Sequence, residues 1–533
     1  MMIRVRRGPL RTTEFRRILA LPQRDPDEFG AALAGDLTVM LKKKEGTMSL
    51  WPLQALALAE AAAYDGVFCA LPVGQGKTLV SFLLPTVMDS TRALLLVRGS
   101  LRDKTFKDFY YLSKHWIRHD TYFVSTYEHV STHPEYLEEI RPDLIVADEA
   151  HRLKNKNAGC TKRVIKYWKD SGNTRFVPLS GTLATRSFYD YWHLQLMALP
   201  SKMGILPYDY KEAELWSQAL DVEPGVRAGL GALEVFGEDM HSARKGFGQF
   251  IRKVPGVIYS DSEDVKASIS LEIKEVENKK IKDAYNQLFS MWMLPNEDLI
   301  CTGAEFYRHA REIALGFYYV WKYPPPDYWA EARRKYGSFV RYKLKYSKKY
   351  ETASQIDSAY ADDPAVFNWK AVEKEFTPET EAVWFAPEML RKFVLSILDI
   401  DALVWYRHKA VGELLNEFMP VFGSKGEDIE TGAHIYDQSK QTIAVSINAM
   451  SEGFNLQQWS SNVVLSPPAN GRLWEQMIGR THRNGQKSDE VDIAVLATLP
   501  TAYDDLRKAK KDAEYIEATT TQRQKLNFAV REL

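Results

Sequence analysis

Three short runs of this chain hold side chains whose types and spacing suit phosphate chemistry. In Gly74-Gln75-Gly76-Lys77-Thr78, two glycines lead into a lysine and a hydroxyl. A glycine turn of this kind points backbone N–H groups at phosphate oxygens at a helix start, where Lys77 can reach β and γ phosphates and Thr78 can take a Mg²⁺ position. The strict form of the loop opens on a further glycine, and Leu71 stands in its place. Leu144-Ile145-Val146-Ala147-Asp148-Glu149-Ala150-His151 is an apolar run ending in adjacent carboxylates. Side chains alternate along an extended chain, so Asp148 can hold Mg²⁺ while Glu149 orients and deprotonates a water. Between Gln476 and Arg483, the side chains of Gln476, Arg480 and Arg483 recur at helical spacing. Two guanidiniums there can stabilise charge on a phosphate held by another domain, an effect of ~10³ to 10⁵ in rate. Plainer readings exist for each run: a turn capped by Thr78, surface acids opening a helix, a solvated arginine face. The first two runs standing in one stretch of alternating elements favour the chemical reading.

These residues need strand ends and helix starts to hold them. Val67 to Leu71, Ala93 to Val97, Tyr122 to Ser125, Leu144 to Ala147 and Phe176 to Leu179 are short apolar runs separated by helical stretches. That rhythm predicts a parallel sheet with crossover helices. It returns at Ala402 to Tyr406, Ile443 to Ile447, Asn462 to Leu465 and Val491 to Leu496. The fold class expected is therefore α/β, with two parallel-sheet lobes at 49–205 and 396–500. Residues 206–395, rich in Tyr and Trp and broken at Pro324-Pro325-Pro326, read as helical insertions rather than sheet. Residues 1–48 carry Arg4, Arg6, Arg7, Arg11, Arg16, Arg17 and Lys42 to Lys44 without an apolar period, and read as a basic arm or a small accessory segment; 501–533 read as a terminal helix.

Composition bounds the rest. At 533 residues with 45% hydrophobic and 26% charged residues, the chain has the make-up of a multidomain globular protein. Lys+Arg 70 against Asp+Glu 70 leaves no net field, so a polyanion would have to be met by local patches. Three scattered cysteines and no paired Cys/His spacing argue against a disulfide framework and against structural zinc, and no H-E-x-x-H stands among the eleven histidines. With no secretory h-region and no span-length apolar run, an intracellular, cytoplasmic compartment is expected.

Taken in order, the motifs resemble those of the superfamily 2 helicases, most closely the Swi/Snf-type DNA translocases. Leu50-Trp51-Pro52-Leu53-Gln54 resembles the segment whose Gln contacts adenine, and Gly74 to Thr78 resembles motif I. Asp148-Glu149-Ala150-His151-Arg152-Leu153-Lys154-Asn155 is similar to the long form of motif II, and Leu179-Ser180-Gly181-Thr182 to motif III, which couples hydrolysis to movement. Leu403 to Tyr406 is a weak match to motif IV, Ser451 to Leu456 is similar to motif V, and Gln476 to Gln486 resembles motif VI. Two departures stand out: Leu71-Pro72-Val73 before the phosphate loop, and Leu183-Ala184-Thr185-Arg186 where the family reads P-I-Q-N.

The resemblance implies two RecA-like lobes closing on ATP and Mg²⁺, with an economy of modules that suits a prokaryotic or phage member. It implies that Gln54, Gly74, Gln75, Gly76, Lys77, Thr78 and Gly453 bind nucleotide, and that Thr78 and Asp148 hold the metal. Catalysis would fall to Asp148, Glu149, Gln476, Arg480 and Arg483, and coupling to His151, Ser180 and Thr182. The expected activity is ATP-driven translocation on duplex DNA; a strand-separating or branch-migrating helicase and an ATP-gated binding scaffold without turnover remain as alternatives. Arg98 and Ser100, with Ser125 and Thr126, fall where the family's motifs Ia and Ib touch backbone phosphates. Apart from the resemblance, 333–350 holds eight basic residues, five aromatics and no acid. There Arg341 and Lys345 suit phosphates, while Phe339, Tyr342, Tyr346 and Tyr350, at helical steps, are expected to pack inward.

Overall fold

The computed structural model describes residues 7–71, 74–156, 158–181, 187–199, 202–221, 227–259, 265, 267–298, 300, 303–346, 356–357, 359–377, 379–423, 426–450 and 453–529. Within them the chain forms two parallel six-stranded sheets flanked by helices, an α/β architecture consistent with two RecA-like lobes.

In lobe one, β1 (Phe68–Ala70), β2 (Ala93–Val97), β3 (Tyr122–Thr126), β4 (Leu144–Asp148), β5 (Arg175–Ser180) and β6 (Val257–Tyr259) lie in the order β3-β2-β4-β5-β1-β6. Strands β1, β2 and β6 are buried along their whole length. That is why β1 and β2 read as unbroken apolar runs rather than alternating ones. The register sets Cys69 beside Leu179 and Leu179 beside Asp148, so β1, β5 and β4 end at one level. Their carboxyl ends, where open α/β sheets place ligands, therefore share one rim.

Lobe two opens with β7 (Ser268–Glu275). A small antiparallel pair, β8 (Phe317–Trp321) with β9 (Thr380–Trp384), follows before β10 (Ala402–Tyr406), β11 (Val421–Phe422), β12 (Ile443–Ser446), β13 (Ser461–Val464) and β14 (Glu490–Ala497). The sheet order is β11-β12-β10-β13-β14-β7.

This corrects the reading of 206–395 as helical insertions. Strand β6 extends lobe one to Tyr259, and β7 pairs along all of β14 at the edge of lobe two. Strand β6 has only three residues, and β7 is exposed or half-exposed throughout, so neither carries a strong apolar signal. Helices do dominate the rest, among them Asp327–Tyr346.

Of the two readings of 1–48, residues 13–41 fit the accessory segment and not a loose arm. Residues 13–41 form helices Thr13–Leu19 and Pro26–Leu41, and Phe15, Ile18 and Leu21 enter the core of lobe one. Arg17 donates to the carbonyls of Gly204 and Leu206, and Arg24 lies buried in a two-bond pair with Glu60. The Thr13–Leu19 helix, at 7 residues, supplies too few positions for a period to show.

At the other end, the Thr501–Thr520 helix spans the lobes. Leu506 and Ala509 join the lobe-two core, whereas Tyr515 joins that of lobe one and donates to Asp221 at 2.9 Å. Among the described residues no helix is long and apolar enough to cross a membrane. Cys69 and Cys160 are buried free thiols, and burial pushes Cys160 up to about 12.

Candidate functional site

The phosphate loop follows β1 and leads into the Lys77–Val87 helix, as its glycines predict. Gly76 has φ 73, and a Cβ there would stand 2.2 Å from Nε2 of Gln54. Any other residue would suffer both backbone strain and that collision. Gln54 is 3% exposed; its amide donates to the Gln75 carbonyl at 3.1 Å and accepts from Trp51 N at 3.0 Å. The glutamine thus braces the loop. Lys77 Nζ donates to the Leu71 carbonyl at 3.0 Å and stands 3.8 Å from Glu149 Oε1.

Asp148 ends β4, and its Oδ1 accepts from Glu149 N at 3.0 Å. Glu149 then takes φ 54, ψ 49, a left-handed conformation that turns its carboxylate away from the strand direction. Burial alone would raise this carboxyl. The charge of Lys77, the hydrogen bond and charge of His151 and the charge of Arg472 outweigh burial and hold it well below the usual carboxylate range. Thr78 begins the helix beside Lys77, so Thr78 and Asp148 offer oxygen donors from the two elements that flank the lysine.

His151, 6% exposed, joins several parts. Its Nδ1 lies 3.1 Å from Ser180 Oγ and 3.3 Å from Glu149 Oε2, and its Nε2 meets a guanidinium nitrogen of Arg472 from lobe two. Ser180 is thus in contact with His151. Thr182 lies outside the described residues.

Lobe two presents the Gly471–Thr481 helix. Gln476 and Arg480 lie in it, buried to 4% and 6% exposure. Arg483 lies past its end, so the expected three-residue helical array is in fact two helical residues and one from the following turn. Arg480 donates to the carbonyls of Gln476 and Phe454, the latter at 2.9 Å. Arg483 donates to Asn455 and reaches toward lobe one: a Cβ on Gly74 would stand 3.9 Å from its Nη2. Gly453, φ 85, presses against lobe one, since a Cβ there would lie 2.6 Å from Leu101 Cδ2. Its place is a lobe contact. Burial lowers Lys104 on the facing helix; Asp108 and Asp148 oppose that shift, while the like charges of Arg480 and Arg483 add to it.

Two residues, Tyr436 and Arg472, escaped the motif reading, while Tyr127 stands in the run that resembles motif Ib. Tyr436 accepts from Asn455 N at 2.9 Å and lies near Arg483, with no pattern to betray it. Tyr127 donates to the Asp148 carbonyl. Arg472 stands four and eight residues before Gln476 and Arg480, a spacing that puts all of them on one helix stripe and was legible in principle.

The nucleic-acid candidates divide. Ser100 is exposed in the Gly99–Leu101 turn, and Arg98 gives one N–H to the Asn448 carbonyl of lobe two at 3.3 Å. Ser125 is only 5% exposed inside β3, and Thr126 caps the next helix by accepting from His129 N. That corrects Ser125, which burial removes from a backbone contact; Thr126 accepts at the cap and keeps its own O–H to donate. Arg341 and Lys345 lie on the Asp327–Tyr346 helix, but their side chains lie outside the described residues. Phe339 packs on Tyr360 as expected, whereas Tyr342 is exposed; Tyr350, and the side chain of Tyr346, lie outside the described residues.

No protein-family model matches the chain, and no curated protein matches it.

Proposed function

We propose that the protein is an ATP-dependent motor of the translocase type, acting on nucleic acid and on duplex DNA first of all. One observation carries this reading: Arg483 of lobe two stands across from Gly74 of the phosphate loop, beside a lysine and a carboxylate already paired. A triphosphate between them would take N–H groups of the loop and Lys77 on one side and Arg483 on the other. Thr78 and Asp148 form a hard oxygen donor set of the kind Mg²⁺ takes with one or two protein ligands. When bound, the ion would neutralise charge on the phosphate oxygens.

Glu149 is the residue to accept a proton from water. In the Lys77 pair it is a poor base, because the ammonium stabilises its charged form. A phosphate that drew Lys77 away would restore its basicity, so proton transfer would await substrate. Arg480 holds the 453–456 segment against the helix, and that segment touches lobe one at Leu101. Closure and charge stabilisation are thereby tied to one helix.

Rates of ATP hydrolysis with duplex, single-stranded and forked DNA and with RNA, beside strand-displacement and triplex-displacement assays, test the reading. Duplex stimulation with triplex displacement and no strand separation is expected. Efficient strand separation would make it a helicase instead, and no stimulation by any nucleic acid would remove the motor reading.

A further inference from the structure

We propose that Arg472 is a positioning residue through which lobe two sets the tautomer of His151, and with it the hydrogen bond that orients Glu149. The inference rests on the ATPase reading above and adds to it a route by which closure is signalled to the water-activating carboxylate.

The argument turns on which atoms can donate. A guanidinium has N–H donors and no acceptor. Arg472 Nη1 meets His151 Nε2, so that nitrogen must offer its lone pair, and the ring proton then sits on Nδ1. Nδ1 lies 3.3 Å from Glu149 Oε2 and 3.1 Å from Ser180 Oγ. With Arg472 in place, Nδ1–H donates toward the carboxylate, and the Ser180 oxygen is a second acceptor beside it. Without Arg472, the carboxylate is left to hold the proton on Nδ1 without a donor on Nε2. A share of the rings can then carry the proton on Nε2, where Nδ1 accepts from the Ser180 hydroxyl and Glu149 loses a donor. The ring is buried, so bulk water does not readily substitute for the lost partner.

Placement makes Arg472 report on the lobes. It occupies the first turn of the Gly471–Thr481 helix, on the stripe that carries Gln476 and Arg480. The helix start is fixed from inside lobe two: Asn470 caps Leu473 N at 3.2 Å, and Asp512 accepts from Gly471 N at 3.4 Å. A rigid-body movement of lobe two therefore carries Arg472 with it, while His151, Glu149 and Ser180 stay with lobe one. The imidazole stands where the two bodies meet.

The test uses the full chain with Arg472→Ala, Arg472→Lys, His151→Ala and the Arg472→Ala/His151→Ala pair. Arg472→Ala is expected to lower DNA-stimulated kcat about tenfold, the size of one hydrogen bond to a charged group, with KM for ATP within about twofold. Lysine, which can still donate to Nε2, should restore part of the loss, and the double variant should be no slower than His151→Ala alone. ¹⁵N-imidazole NMR of His151 reads the tautomer without reference to turnover: Nδ1–H in the parent chain, redistributed in Arg472→Ala. An Nε2–H ring in the parent chain would overturn the proposal. So would undiminished kcat in Arg472→Ala at an unchanged melting temperature, or additive losses in the double variant. A parent chain with the Nδ1–H ring but no ATP turnover would instead sink the motor reading and leave the contact standing.

Discussion

The two lobes are built alike and used differently. Each is a six-stranded parallel sheet under helices, yet lobe one offers its chemistry from loops at strand ends, and lobe two offers its own from one helix and the turn after it. In lobe one, β1, β4 and β5 end at the same level, so the lysine loop, the carboxylates and Ser180 converge without help from sequence proximity. In lobe two, the four-residue step from Arg472 through Gln476 to Arg480 does the gathering, and Arg483 follows at the helix end. The same architecture therefore does not make a site; the side chains grafted on it do.

If that division of labour holds, Lys77→Ala and Glu149→Gln should each remove ATP turnover, at least ~10³-fold. Glu149→Gln should still bind ATP in a fluorescent-nucleotide titration. An active Glu149→Gln variant would mean that lobe one lacks its water-activating group.

From the other side, Arg483→Ala should cost ~10² to 10³-fold in kcat with the melting temperature unchanged. Arg480→Ala should lose activity and melting temperature together, because Arg480 also holds the Phe454 carbonyl. Equal melting temperatures for the two variants would erase the distinction between a reaching and a bracing arginine.

Stability sharpens the comparison further. Lobe one buries Arg24 against Glu60, and lobe two buries Lys525 against Glu475 on the arginine helix. Removing one partner strands a charge, so Glu60→Ala and Glu475→Ala should each destabilise by ~3 to 5 kcal/mol in urea unfolding. Both should also lower kcat/KM, since Glu60 belongs to the helix that carries Gln54 and Glu475 to the one that carries Gln476 and Arg480.

The smallest effect expected is on acid stability. Burial pushes the His408 imidazole of lobe two down to about 4 from an ordinary 6.5. As pH falls below ~6.5, the unfolded chain takes this proton and the folded chain does not, so stability declines until pH ~4 and the decline then levels off, by up to ~3 kcal/mol. His408→Phe should flatten that part of the profile relative to the parent chain. A parallel profile would show that the ring is solvated in the folded chain.

How legible this was varies residue by residue. The runs of β1, β2, β4 and β10 were readable because strands buried on both faces are apolar nearly throughout, and those of β3 and β14, which are partly exposed, from the apolar residues at their buried positions. Strands β6 and β7 were not, since one is too short and the other lies exposed at an edge. The phosphate loop and the carboxylate pair were readable because each is contiguous. Ser125 was misplaced because a strand residue's exposure depends on what covers the sheet, and Arg17 because a cation's partner can be a carbonyl 187 residues away.

From its own residues the chain determines which groups are available: a lysine behind glycines, two acids at a strand's end, arginines at helical spacing. Those are local patterns, set by backbone sterics and by periods of two and 3.6 residues. Only the tertiary structure decided that Arg483 faces Gly74, that Arg480 braces while Arg483 reaches, and that His151 lies between Glu149 and Arg472. Those facts depend on how two separately built sheets dock, and docking is governed by the summed packing of surfaces drawn from distant parts of the chain, which no short window of sequence contains.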